Sequence, residues 1–133
     1  MLVPITAFYA GLLGLVFFGL STRVIRRRRG MRIALMDGDD VELRRRMRIH
    51  GNFAEYAPIC LILMGLIEAN GAPAWLMHPL GLALLASRIM HAVGLTRAIG
   101  ASRGRVLGMM ATFAVLGVAS AWAIGQANVA ALG

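Results

Sequence analysis

Apolar residues in this chain do not alternate with polar ones; they come in four long blocks, each bounded by charge or by turn-forming residues. The first block runs from Leu2 to about Val24 and gives way to Arg26, Arg27, Arg28 and Arg29. A nearly uncharged run of about twenty residues, coiled as a helix, matches the ~30 Å hydrocarbon layer of a bilayer. The pattern predicts four helices, at about 2–25, 41–69, 74–99 and 105–127. They form a single all-α integral membrane domain over 1–133, a four-transmembrane-helix bundle.

The connections set the expected topology. Asp37, Gly38, Asp39 and Asp40 read as a short polar loop, with an Asp placed to cap the second helix near Val41. Asn70, Gly71, Ala72 and Pro73 make a tight hairpin without positive charge, and Gly100 to Arg105 make a basic turn. A cleavable signal peptide carries its positive charges ahead of its apolar stretch, whereas here they follow it, so the first block reads as a retained helix. Arginine-rich connections stay in the cytoplasm. The expectation is a multi-pass protein of a bacterial inner membrane with both termini periplasmic.

Composition agrees with the blocks. Hydrophobic residues are 59% of the chain and charged ones 15%, against about 45–50% and 25% for soluble domains. A net charge of +8 invites a nucleic-acid reading, but the arginines sit where helices leave the bilayer and no aromatic-interleaved basic face accompanies them. Nucleic acid is therefore set aside as a partner. Cys60, a lone cysteine in an apolar run, reads as a small packing residue, and no metal site is expected. Gly108, Gly117 and Gly125 offer close helix contact. Trp75 is placed as an interface anchor at the outer boundary and Trp122 lower in helix four. Glu68 and His78 are placed near the outer ends of their helices, Glu68 within reach of water. Pro58 is expected to kink helix two.

The informative residues are those out of place in a membrane helix. Arg48, Asn52 and Glu55 are spaced four and three apart, so they share one face of helix two, with Arg44 a turn earlier. Arg88 and His91 share a face of helix three. Charges at such depth cost about 2.5–3.5 kcal/mol on insertion scales and face protein or water. One reading is interhelical glue, with Glu55 paired to Arg48 or Arg88. The other is a site for a zwitterionic, multiply anionic ligand: arginine for carboxylates, glutamate for an ammonium, asparagine for an amide. Glutathione carries that set of groups.

The run Arg48, His50, Asn52, Glu55, Tyr56 and Pro58, with Arg88 in helix three, resembles the superfamily of membrane-associated proteins in eicosanoid and glutathione metabolism (MAPEG). That family includes microsomal glutathione S-transferases and leukotriene C4 synthase. The resemblance implies a homotrimer with glutathione, as cosubstrate, bound between subunits near the cytoplasmic side. Arg48, Asn52, Glu55 and Tyr56 would hold it, joined by Arg88 and His91. An arginine near the start of helix four, Arg103 or Arg105, would stabilise the thiolate. The chain departs from some members in having His91 and Leu95 where they carry tyrosines, which alters part of the hydrogen bonding to glutathione. His50 points away from the Arg48 and Glu55 stripe on helical spacing, and reads as an interfacial or intersubunit packing group.

Three functions follow as alternatives. The first is a glutathione-dependent transferase or peroxidase acting on lipid or other hydrophobic electrophiles. The second is a non-catalytic lipid-binding or scaffold member of the same family. A small multidrug exporter fits less well, because its essential carboxylate belongs in the first helix, which here has no acidic residue.

Overall fold

The computed structural model describes residues 2–97 and 103–132. Four helices make up all of the regular structure among them: α1 (Pro4–Met31), α2 (Val41–Ala69), α3 (Ala74–Arg97) and α4 (Arg103–Leu132). All four are long and apolar enough to cross a membrane. α2 packs on each of the other three and α3 also on α1 and α4, while α1 and α4 do not touch among the described residues.

Two helices run past their expected ends. α1 continues to Met31 instead of ending near residue 25, and α4 continues to Leu132 instead of 127. Arginine is a good helix former, so loss of hydrophobicity marks the exit from the bilayer and not the end of the helix. α1 stops at Arg32, which adopts the left-handed conformation (φ 55°) and donates its N–H to the carbonyls of Arg28 and Arg29. The basic turn expected at 100–105 falls in part outside the described residues, as does the side chain of Leu95. α2 continues through Pro58 as one helix.

The loop between α1 and α2 is built around Asp40. Its carboxylate accepts from Leu43 N at 2.6 Å, capping α2, and takes both Nε and Nη2 of Arg27 at 3.1 and 2.6 Å. One side chain therefore joins the end of α1 to the start of α2. Arg44, expected on the Arg48 stripe, is instead held by Asp37 and Asp39. The Arg27 guanidinium, helped by the Leu43 amide, holds the Asp40 carboxyl below its ordinary range, and Arg44 with the Asp39 amide does the same for Asp37. A carboxyl depressed on folding contributes stability above its unfolded pKa, about 3.9, and loses it as pH falls through the folded value. The melting difference between wild type and Asp40→Asn is therefore expected to be constant above about pH 5 and to shrink below about pH 4. Thermal melts across that range check it, and a difference independent of pH would rule out the carboxylate as its source.

Inside the bundle Leu13, Cys60, Met64, Ile67, Met77 and Leu84 are essentially inaccessible. Phe8, Leu15, Phe18, Ile62, Leu82 and Phe113 are exposed on the outside, as a lipid-facing surface requires. Of the three glycines expected at close contacts, only Gly108 serves one. A Cβ there would lie 2.7 Å from Ser87 O and 2.9 Å from His91 N, so α4 meets the backbone of α3, whereas Gly117 and Gly125 have nothing within 4 Å.

The end opposite the arginines corrects two expectations. Glu68 is not in water but 9% exposed, accepting from Ile5 N at 2.8 Å and Thr6 N at 2.7 Å. It caps α1 from another helix, because the N-cap residue Val3 provides no side-chain cap. Trp122 does not sit lower than Trp75; their rings meet edge to face at 6.1 Å. Nearby, Gln126 donates to the carbonyls of Ile67 and Asn70, closing the C-terminus of α2.

Candidate functional site

Three helices meet at Arg88. It enters from α3 with 1% exposure. Its Nη1 donates to Asn52 Oδ1 of α2 at 2.9 Å, and its Nη2 to Thr112 Oγ1 of α4 at 2.6 Å. Met109 Sδ lies 3.5 Å from Nη2, and the guanidinium carbon stands 5.8 Å from the centre of the Tyr56 ring. Thr112 is fixed in turn: its hydroxyl lies 2.9 Å from Gly108 O and 3.0 Å from Ser87 Oγ, and Ser87 donates to Leu84 O. The bare Gly108 lets α4 come near enough to α3 for these contacts.

The cation has hydrogen-bond acceptors but no anion. No carboxylate forms an ion pair with Arg88 among the described residues, and its Nε has no partner. Neutral acceptors orient a buried guanidinium without cancelling its charge.

The predicted stripe of α2 divides between two surroundings. Asn52 and Tyr56 are half-buried and reach the interior, Tyr56 also meeting Phe113 edge to face at 5.7 Å. Arg48 and Glu55 are exposed on the outside of the protomer and form neither an ion pair nor a hydrogen bond among the described residues. The interhelical tie considered for Glu55 is thus not made. His91 is 5% exposed and lies against Gly108 of α4. Arg103 is exposed, while Arg105 is half-buried. His50 turns away from the stripe as spacing predicts, but its packing is within the protomer: it stacks on Phe17 at 4.6 Å and meets Ser21 Oγ at 3.1 Å, both on α1.

Sequence spacing does not point to Thr112, Ser87 or Met109. The available signal was Thr112 itself, a hydroxyl within an apolar block, one turn after Gly108.

The chain is similar to the inner membrane protein YecN of Escherichia coli K12, 42% identical over 112 residues that cover 84% of each chain. The protein of the same name in strain O6:H1 is equally similar. The sequence model of the MAPEG family matches residues 6–125, which takes in α2 and α3 whole, most of α1 and α4, and every residue around Arg88. With four membrane-length helices and the Arg48, Asn52, Glu55 and Tyr56 pattern on the second, the chain belongs to the MAPEG family.

Proposed function

We propose that the protein is a glutathione-dependent transferase or peroxidase for hydrophobic electrophiles, assembled as a homotrimer in the inner membrane with its arginine-rich end in the cytoplasm. The observation that carries this reading is the buried, carboxylate-free Arg88 behind a surface on which Arg48 and Glu55 are both unpaired. Intramembrane charges ordinarily find counter-charges. A ligand with two carboxylates and an ammonium supplies both signs, and a neighbouring protomer against α2 encloses it. That half of the stripe faces outward in the single chain supports a site shared between subunits.

Arg48 takes a glutathione carboxylate, Glu55 the ammonium, and Asn52 a peptide amide. Arg105 is the thiolate partner, since it is half-buried beside α3 whereas Arg103 is exposed. A guanidinium there lowers the thiol pKa from about 8.5. In transfer, the thiol proton passes to water, the thiolate sulfur forms a bond to the electrophilic carbon, and the leaving group departs with the bonding pair. In peroxide reduction, two glutathione thiols give one disulfide while a hydroperoxide becomes an alcohol and water. The apolar partner arrives from the lipid.

Calorimetric titration of glutathione into the detergent-purified protein tests the reading. Saturable binding is expected, weakened at least tenfold by Arg48→Ala or by Glu55→Ala, the loss of one charge-assisted hydrogen bond. Absence of binding by folded wild-type protein overturns it. That result favours the second reading, a lipid-binding member without catalysis, which draws on the near-complete burial of His91 and on the histidine and leucine at 91 and 95.

A further inference from the structure

The arginine-rich end carries more charge than the fold uses. Four of the six acidic residues lie there, and all four are engaged: Asp40 with Arg27, Asp37 and Asp39 with Arg44, and Glu42 with Arg45 and Arg46. Arg26 and Arg29 are exposed and have no ion pair or hydrogen bond among the described residues.

Their position on α1 matters more than their number. Leu15, Phe18 and Ile25, 71, 68 and 47% exposed, follow one another along α1 at spacings of three and seven, one outward face of the helix. Arg29 follows Ile25 by four residues and continues that face, with Arg26 at its edge. At 1.5 Å per residue, Arg26 and Arg29 stand about 32 and 36 Å above Ile5 along the axis. A hydrocarbon layer of ~30 Å inside a bilayer of ~40–45 Å puts that height among the lipid headgroups. On this outward face and at this height, the two exposed arginines stand beside the leaflet's headgroups. Beside them the loop presents Leu35 and Met36, 83 and 78% exposed, as apolar side chains at the same interface.

A second copy of the chain offers these arginines no counter-ion at this level, because its acidic residues here are already paired. Of the other two, Glu55 lies deeper on α2 and Glu68 is buried at the far end. We infer that Arg26 and Arg29 form a binding site for an anionic phospholipid, its phosphate held between the two guanidiniums and its acyl chain laid along Ile25 and Phe18. The inference stands independently of any glutathione site.

Native mass spectrometry of the full chain in detergent, with phosphatidylglycerol and phosphatidylcholine of matched acyl chains, tests it. At roughly fivefold per arginine near a membrane surface, wild type is expected to prefer the anionic lipid by about thirtyfold. Arg26→Gln with Arg29→Gln should abolish that preference, whereas Arg44→Gln, which alters an arginine already paired with acids, should leave it unchanged. Should the double variant not fold, each single substitution carries the same test with a loss of about fivefold. Equal binding of the two lipids by wild type overturns the inference, as does a preference that survives the substitutions. Displacement of the lipid by inorganic phosphate at matched concentration overturns it too, since the site would then take free anions without need of an acyl chain.

Discussion

Arg88→Ala is expected to lose about 3 kcal/mol of stability together with all measurable glutathione binding. The stability figure combines two ties between helices, Arg88 to Asn52 and Arg88 to Thr112, each worth about 1 kcal/mol in a membrane bundle, with the cavity left by a long buried side chain. Arg88→Met separates the two effects. Methionine fills most of the space, and replacing a buried charge by an apolar side chain of similar volume is often neutral or stabilising. Thr112 keeps its bond to Gly108 O, and the half-buried Asn52 can turn toward water. Arg88→Met is therefore expected to melt within about 1 kcal/mol of wild type, and still not bind glutathione. Chemical denaturation in detergent and calorimetry on the same samples measure both quantities. Normal binding by Arg88→Met would place the ligand elsewhere and leave Arg88 as a structural tie.

The comparison between the two variants also bears on what a sequence can reveal. Arg88, Asn52 and Glu55 were visible because each is costly inside a bilayer, so any such residue calls for a partner whatever the fold. The partner itself was not visible. Helical spacing puts Arg48, Asn52 and Glu55 on one face but cannot say which part of that face meets α3 and which part stays outside, because this depends on how the helices are rotated against one another. Arg88 therefore reached Asn52, and Glu55 reached nothing among the described residues. Thr112 carries no such signal, because a hydroxyl in an apolar helix commonly bonds its own backbone, as it also does here with Gly108 O.

The four helices were legible as apolar blocks because bilayer thickness imposes a length on each, and Asp40 was legible as a cap because N-caps act locally. The true end of α1 was not, since arginine leaves the membrane without leaving the helix. Contacts that are long in sequence were the least accessible of all. Glu68 lies 63 residues from Ile5, and no local pattern connects a carboxylate at the end of one helix to the amides at the start of another.

That distant cap is the second position where a large effect is expected: Glu68→Ala should cost about 2–3 kcal/mol. The first turn of α1 has few donors to satisfy. Pro4 has no N–H, and Ala7 N already bonds Val3 O, which leaves Ile5 and Thr6, and a single carboxylate accepts from both. Each bond is charge-assisted, at 2.8 and 2.7 Å, and the carboxylate also opposes the positive end of the helix dipole. With the site nearly closed to solvent, water does not readily replace the lost acceptor. Glu68→Gln retains one acceptor but turns an NH2 toward the other amide, so about half of the loss is expected. The half-buried partners of Glu42 provide the contrast: its ion pairs with Arg45 and Arg46 are i,i+3 and i,i+4 contacts along one helix, and Glu42→Gln should cost no more than about 1 kcal/mol. Thermal melts rank the three variants, and hydrogen exchange at Ile5 and Thr6 locates the effect, since only the Glu68 substitutions should accelerate it. If Glu68→Ala melts with Glu42→Gln and both amides stay protected, the start of α1 is held by its packing against α2 and α3 and not by the carboxylate.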